Sequence, residues 1–399
     1  MKQSILFLTV ILFFACKEQQ QNSNQSPLNE RIEWAYQQIK NAAAAATENG
    51  QFRNPVTLRP DSSVFYCGYS DWRSGFFPGS LWYLYELTED TSILSLAKSY
   101  TLSIEEAKNL TWHHDVGFMV GNSFGNGLRL TGEPYYRNAI IQAAKSLSTR
   151  FHKNAGILQS WNVSGWMAER GWQCPVIVDN MMNLELLFEA TRLSGDSSFY
   201  KIAVSHADRT LKEQFRPNGS AFHVLDYDTI TGEIRGRYTA QGYADSSAWS
   251  RGQAWAIYGF AVAFRETGDR KYLAQSLKTF DFMKNHPNMP QDLVPYWDMD
   301  APNIPDEPRD ASSAAIMASA LYEISTMPVE NADGYRNHAD SIVNTLSSPA
   351  YRAESGANDN FILMHSVGSL PGNAEVDKPL NYADYYYIEA LKRKKELEK

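Results

Sequence analysis

The sequence predicts an all-α protein, a closed (α/α)6 barrel or six-hairpin toroid in which six inner and six outer helices alternate. Three observations lead to this fold: a turn phrase that recurs along the chain, helices with two different surface patterns, and an apolar last helix. With 399 residues, of which 43% are hydrophobic and 21% charged, the chain is long enough for one large core and has an ordinary globular composition.

The recurring phrase joins the end of one predicted helix to the start of the next through a turn of the type Thr/Ser-Gly-Asp. The Gly suits the position after a helix, and the Asp or Ser caps the helix that follows. Its copies, the last of them degenerate, are LYELTEDTSILSLAKS (84–99), LRLTGEPYYRNAIIQAAKS (128–146), TRLSGDSSFYKIAVSHAD (191–208), FRETGDRKYLAQSLKTF (264–280) and YEISTMPVENADGYRNHADS (322–341).

Two sets of helices enter and leave these turns. The inner set is apolar nearly all round and covers residues 80–88, 121–131, 181–194, 254–267, 312–325 and 384–395. The outer set has a single apolar face; it comprises residues 29–46 and helices that begin near residues 91, 134, 197, 270 and 334. An open solenoid should carry a polar face on its last repeat, and the apolar YYYIEAL (385–391) therefore favours closure.

The loops that run from an outer to an inner helix all open on the same end of such a barrel. They are long, acidic and aromatic, whereas the turns at the other end are short. The chain has 10 Trp, 22 Tyr and 19 Phe, and aromatic side chains stack on sugar rings as well as filling cores. We therefore expect the functional site at the end with the long loops.

An Asp stands near the end of each of these loops, which favours helix capping as the common role. These residues are Asp71, Asp115, Asp179, Asp245, Asp310 and Asp384. Asp179 differs because it follows an apolar run, and Asp115 because it lies between His114 and Val116. A buried carboxyl has a raised pKa and can act as a general acid, while a second carboxylate nearby stays ionised. Two such acids at an aromatic mouth are typical of glycosidases.

Other kinds of site find little support in the sequence. The net charge of −8, with no basic stripe, argues against nucleic-acid binding. There is no Gly-rich phosphate loop and no G-x-S-x-G motif, and the adjacent His113 and His114 lack a second His at helical spacing, so we expect neither metal nor cofactor. Cys67 and Cys174 are compatible with one disulfide or with two free buried thiols.

The N-terminus has the pattern of an export signal. Residues 1–16 combine a basic start, an apolar stretch too short to span a bilayer, and a small residue before Cys16. Followed by the polar KEQQQNSNQS, Cys16 resembles the lipidated cysteine of a bacterial lipoprotein, with ordinary secretion as the alternative. We then expect a flexible tether at 17–28, a single domain at 29–399, membrane contact only through the lipid, and a periplasmic or outer-membrane, cell-surface location in a Gram-negative bacterium.

Seven segments, from about residue 60 to the C-terminus, resemble glycoside hydrolase family 88, the unsaturated glucuronyl hydrolases. They are HDVGF (114–118), VDNMMNLELL (178–187), HVLDYD (223–228), QGYADSSAWSRGQAWAIYGF (241–260), VPYWDMDAP (294–302), RDASSAA (309–315) and DYYYIEAL (384–391). The resemblance implies an (α/α)6 barrel that removes the 4,5-unsaturated uronic acid from the non-reducing end of lyase-generated oligosaccharides, with or without sulfate groups.

The resemblance also implies the roles of the two acids. Asp179 protonates C4 of the enol ether and then acts as the base that assists water addition at C5, after which the hemiketal opens. Asp115 is the second carboxylate, which orients the sugar and stabilises positive charge.

Substrate-binding residues are implied in the same way, position by position. Arg251 is the candidate for the uronate carboxylate, with a structural ion pair as the alternative. Stacking on the sugar ring is implied for Trp72, Phe76, Phe118 and Trp161, and bonds to its hydroxyls or to water for His223, Gln241 and, more weakly, Thr239. The resemblance implies that the pocket is lined by Trp249, Arg251 and Trp255, and that the next sugar and its sulfate contact Ser366 and Ser369.

Two other functions stay open at this point. The same barrel would serve an inverting glycosidase or an unsaturated rhamnogalacturonyl hydrolase. It would also serve a non-catalytic glycan-binding lipoprotein.

Overall fold

A computed structural model describes residues 26–399. The predicted signal peptide, Cys16 and most of the predicted tether lie outside the described residues. The inner helices are Phe76–Thr88, the π-helix Gly117–Gly125 with Asn126–Thr131, the 3-10 helix Val178–Asn183 with Leu184–Ser194, Ser250–Thr267, Ala311–Ile324 and Asn381–Leu397. The outer helices are Pro27–Ala46, Thr91–Leu102, Pro134–Ser148, Ser197–Glu213, Arg270–Lys284 and Ala332–Leu346.

The inner helices form a closed ring. Each packs against the next along the chain, and the last packs against the first. At this seam the rings of Phe76 and Tyr385 lie 5.4 Å apart. The Tyr83 hydroxyl donates to Glu389 Oε1 at 2.6 Å, and the Tyr258 hydroxyl also donates to this carboxylate. Closure confirms the predicted barrel over the open solenoid.

The short turns have the predicted chemistry. Three glycines after inner helices have left-handed backbone angles, with φ of +70° at Gly132, +76° at Gly195 and +72° at Gly268. Three Asp side chains cap outer helices by accepting a backbone N–H two residues later. These pairs are Asp90 with Ser92 (2.7 Å), Asp196 with Ser198 (2.8 Å) and Asp269 with Lys271 (3.1 Å).

The opposite end carries small antiparallel sheets within the long loops. A three-stranded sheet contains Pro175–Ile177, Val224–Tyr227 and Ile234–Tyr238. Two-stranded sheets pair Thr47–Glu48 with Gln51–Phe52, Asn54–Leu58 with Val64–Cys67, Phe151–His152 with Ile157–Leu158, and Ser366–Ser369 with Ala374–Lys378. Short helical turns at Glu105–Asn109, Trp166–Glu169 and Asn358–Asn360 complete the described elements.

The prediction that most of the six loop acids cap inner helices was wrong. Asp310 does cap its helix, accepting the Ser312 N–H at 3.1 Å. Of the other five, four accept hydrogen bonds from the loop backbone or from neighbouring side chains, and Asp179 Oδ2 has no partner among the described residues. Asp71, for example, binds Arg73, and Asp384 accepts the N–H groups of Ile362 and Leu363 at 2.9 Å each.

Two further sequence questions have structural answers. Cys67 and Cys174 are free thiols, half-buried and buried respectively, so the structure has the second of the two alternatives. Between residues 26 and 399, the helices are all too short or too polar to cross a bilayer.

Candidate active site

Asp179 lies where the three-stranded sheet meets an inner helix. The strand Pro175–Ile177 leads directly into the 3-10 turn Val178–Asn183 that carries it. Its side chain is only 8% exposed, and its Oδ2 has no hydrogen-bond partner among the described residues. Burial raises its pKa to about 7, against the opposing effect of the positive charge of Arg251. Asp179 can therefore hold a proton near neutral pH.

His223 faces Asp179 with a defined tautomer. Its Nδ1 accepts the backbone N–H groups of Ala240 at 3.1 Å and Gln241 at 3.2 Å, which places the ring proton on Nε2. Burial lowers its pKa to about 3, so the ring is neutral. Nε2 lies 3.9 Å from Asp179 Oδ2, and we conclude that His223 presents an N–H donor beside the acid.

Asp115 approaches the same region from the start of the π-helix. It is 7% exposed, its Oδ1 accepts from Asn183 Nδ2 at 2.9 Å, and its Oδ2 lies 3.2 Å from His114 Nε2. Burial raises its pKa well above the usual value, and the negative charge of Asp179 adds to this effect. The sequence predicted one protonated and one ionised acid. In the structure both acids are desolvated, and burial raises the pKa of each.

His113, His114 and Asp115 each offer a ligand atom, and these atoms lie within 4.8 Å of one another. The histidine rings stack in parallel, with centroids 5.7 Å apart. His113 Nδ1 already accepts the backbone N–H of Asp115 at 3.1 Å. One nitrogen of His113 is therefore already engaged, and we assign no cation to the cluster.

Five aromatic residues that were predicted to stack on the sugar or to line the pocket separate into two groups. Trp72 and Trp161 are half-buried, so part of each side chain is accessible. Phe76, Phe118 and Trp255 are buried, and their centroids form a continuous row with spacings of 5.3 and 5.1 Å. For Phe76 and Phe118 the prediction of stacking on the sugar is corrected, and for Trp255 the prediction that it lines the pocket. Inner helices are surrounded by apolar neighbours, and the rings fill the core beneath the site.

Trp249 is also buried, between two residues of the site. Its ring centroid lies 4.5 Å from that of His223, and the Arg251 guanidinium carbon lies 4.6 Å from its ring. Trp249 thus supports the pocket from behind rather than lining it.

The Arg251 guanidinium is not free to bind the uronate carboxylate, as the sequence predicted it would be. It is 1% exposed, its Nη1 donates to Asp310 Oδ2 at 3.2 Å and to the Val367 carbonyl, and its Nη2 donates to the Gly368 carbonyl at 2.5 Å. The structural ion pair is therefore the observed arrangement. Its physical effect is to hold the strand Ser366–Ser369 against the inner helices.

The remaining predicted contacts lie around this strand. Gln241 Nε2 donates to the Gly368 carbonyl at 3.0 Å, and Thr239 Oγ1 accepts the N–H of Gly242 at 2.8 Å. Ser366 is fully buried, which argues against its predicted contact with a sugar, whereas Ser369 is half-buried at the end of the strand. Of the two serines, only Ser369 is partly exposed.

Sequence reasoning missed two asparagines that organise the acids. Asn183 accepts the Phe118 N–H on Oδ1 at 3.0 Å while donating to Asp115. An added Cβ on Gly117 would lie 2.5 Å from Asn183 Oδ1, so this close approach requires glycine. Asn180 contacts His114. Their signal was visible in VDNMMN (178–183), where two amides interrupt an otherwise apolar helix.

A separate cavity of about 450 Å³ lies between the inner helices toward the short turns. Ion-paired side chains such as Glu185 and Arg265 line it. Neither Asp115 nor Asp179 is among its lining residues, so it is distinct from the site built around the two acids.

Comparison with known proteins points to one family. The model of Glycosyl Hydrolase Family 88 matches residues 11–348. An unsaturated glucuronyl hydrolase of Formosa agariphila is 44% identical, over 96% of this chain and 94% of that protein. The crystal structure of an unsaturated glucuronyl hydrolase specific for heparin superposes with a TM-score of 0.89 at 42% identity, covering 93% of this chain and 97% of the other.

A second solved structure contains a bound sugar. It is a mutant unsaturated glucuronyl hydrolase from Streptococcus agalactiae complexed with dGlcA-GalNAc6S, with a TM-score of 0.76 and 27% identity over 93% of each chain.

Proposed function

This chain belongs to glycoside hydrolase family 88, and we propose that it is an unsaturated glucuronyl hydrolase that removes the 4,5-unsaturated uronic acid from the non-reducing end of lyase-generated oligosaccharides. One observation carries the chemistry: Asp179 is a buried carboxyl with a pKa raised to about 7, and the neutral His223 is its neighbour. Such a group can both donate a proton and take one back near neutral pH.

The proposed reaction is a hydration. Protonated Asp179 gives its proton to C4 of the enol ether, and positive charge develops at C5 and the ring oxygen. Water adds at C5 and loses a proton to the Asp179 carboxylate, which restores the acid. The hemiketal at C5 then opens: its bond to the ring oxygen breaks, C5 becomes a ketone, and the former ring oxygen becomes a hydroxyl on C1. C1 is now a hemiacetal, which breaks its bond to the glycosidic oxygen and becomes an aldehyde, so that the second sugar leaves as an alcohol. His223 Nε2–H is placed to hold the water or a sugar hydroxyl, because it has no other partner among the described residues.

Substrate contacts follow from exposure at the mouth. We assign stacking on the sugar to Trp72 and Trp161, polar contacts to Gln241 and Thr239, and contact with the second sugar to Ser369. The relative complexed with dGlcA-GalNAc6S supports sulfated disaccharides as one class of substrate to test.

The proposed function is tested by following the ultraviolet absorbance of the conjugated uronate double bond. With unsaturated disaccharides the absorbance should disappear as the sugars separate, because hydration removes the double bond. An inverting glycosidase would release the unsaturated sugar without that initial loss, and a glycan-binding protein would leave both bond and substrate intact. A panel that varies the second sugar, rhamnose included, separates the rhamnogalacturonyl alternative.

The same assay across pH tests the role of Asp179. Only the protonated acid can start the reaction, and its pKa is raised to about 7. Turnover should therefore stay high below that pH and fall as pH rises through it, approaching about tenfold per pH unit. A rate that rises through this range would contradict an acid role for Asp179.

We also infer that the chain is exported and lipid-anchored at Cys16. The support is the pattern of residues 1–16 and the polar stretch that follows Cys16. Incorporation of labelled palmitate into the native chain, and its loss on Cys16→Ala, would test the anchor; a native chain that takes up no label would refute it.

A further inference from the structure

A row of hydrogen-bonding groups leads from the backbone to the second acid. The Leu158 carbonyl accepts from Asn180 Nδ2 at 2.8 Å, which turns Asn180 Oδ1 toward His114 Nδ1, 3.4 Å away. If the Asn180 amide were flipped, its Oδ1 would lie against the Leu158 carbonyl oxygen at 2.8 Å, and both of these atoms are acceptors. The backbone therefore fixes the orientation of this side chain.

That orientation determines the tautomer of His114. An amide oxygen only accepts, so His114 Nδ1 must carry the ring proton and Nε2 must present a lone pair. Nε2 lies 3.2 Å from Asp115 Oδ2. His114 is fully buried, and burial together with the nearby His113 and Arg150 lowers its pKa well below the usual value, so the ring does not take a second proton.

The other oxygen of Asp115 is fixed from the opposite side. Asn183 uses its Oδ1 to accept the Phe118 N–H, so its Nδ2 donates to Asp115 Oδ1. Two acceptors, His114 Nε2 and Asp115 Oδ2, are left facing each other. A proton between them resolves this contact, and Asp115 is the group that can carry it.

We propose that Asn180 and His114 are positioning residues that hold Asp115 as a neutral acid in the free enzyme, with its Oδ2–H donating to His114 Nε2. The other titratable groups that act on Asp115 agree with this state. Asp71, together with Asp179 whenever that acid is ionised, disfavours a further negative charge there. Arg150 acts in the opposite sense, and His113 uses its Nδ1 for the Asp115 backbone.

The consequence rests on the proposed function. A uronate substrate brings a carboxylate into a pocket that contains two acids, while the charge of Arg251 is already engaged by Asp310. With Asp115 neutral and Asp179 protonated, the anionic sugar meets no like charge from either acid. The Asn180–His114 pair would thus serve substrate binding without touching the substrate.

The first test uses the substrate-free, full-length protein. Long-range ¹⁵N–¹H NMR should show His114 as the Nδ1–H tautomer at neutral pH. Infrared difference spectra of ¹³C-Asp-labelled protein, wild type minus Asp115→Asn, should show a protonated carboxyl. An Nε2–H tautomer or an ionised Asp115 overturns the proposal.

The second test changes the Asn180–His114 pair and leaves both acids in place. Asn180→Leu removes the acceptor that fixes the tautomer, so His114 should shift toward Nε2–H and Asp115 toward its ionised form. For an anionic unsaturated disaccharide, KM should rise about tenfold with kcat within about threefold. Asn337→Leu, on the exposed face of the outer helix Ala332–Leu346, is the matched control, and its Asp115 spectrum should match that of the wild type.

The two proposals fail separately. Spectra of the free protein report on Asp115 without any turnover. A wild-type protein that hydrates no unsaturated sugar would therefore refute the proposed function and leave the proposed role of Asn180 and His114 standing. An unchanged His114 tautomer in folded Asn180→Leu would refute the proposed role of Asn180 and His114 and leave the proposed function standing.

Discussion

Asp179→Asn is expected to lower kcat by about 10²–10⁴-fold, because an amide can neither give a proton to carbon nor accept one from water. The substitution preserves shape, so the dissociation constant for an unsaturated disaccharide should stay near that of the wild type. Turnover measured by loss of ultraviolet absorbance and affinity measured by calorimetry give the two numbers.

Asp245→Asn provides the matched control for this substitution. Asp245 is an exposed loop acid whose Oδ1 accepts the Thr239 N–H, a role that Asn retains. Turnover of this variant should match the wild type. If Asp179→Asn kept wild-type turnover, the proton donor would have to be another group, and Asp115 would be the first to examine.

Trp255→Ala is expected to lower the free energy of unfolding by about 3–5 kcal/mol, the usual range for truncating a buried aromatic side chain. Trp255 is fully buried, with ring centroids 5.1 Å from Phe118 and 5.4 Å from Tyr386. Urea denaturation followed by circular dichroism measures the change.

Trp112→Ala is the control, since Trp112 lies 48% exposed on a neighbouring loop and should cost little stability. The comparison decides between a core and a pocket role for Trp255. A stable Trp255→Ala variant with a strongly raised KM would restore the original prediction that this ring lines the pocket.

The barrel could be predicted because its signals are local. Each turn phrase lies within a few residues, and a helix that is apolar all round differs visibly from one with a single apolar face. The predicted helix at 254–267 begins at Ser250 in the structure, and the one at 29–46 begins at Pro27. The predicted helix boundaries differ from the observed ones by a few residues, whereas the number and order of the inner and outer helices were predicted correctly.

The site was harder because its interactions join distant parts of the chain. Arg251 and Asp310 are 59 positions apart, and nothing near either residue shows that they pair. Asp115 and Asn183 are 68 positions apart. Sequence patterns selected both acids, but the protonation of Asp115 depends on neighbours that only the folded chain brings together.

Closure of the ring has a consequence for biogenesis. Tyr83 and Glu389, which meet at the seam, are 306 positions apart. A nascent chain therefore builds most of its hairpins before the element that covers the first one exists, and during this interval an apolar edge stays open to other molecules. Translation that stops before residue 381 would therefore yield an open helix array with an exposed apolar edge. We expect such a product to be bound by chaperones or degraded by proteases, and not to act as a smaller enzyme.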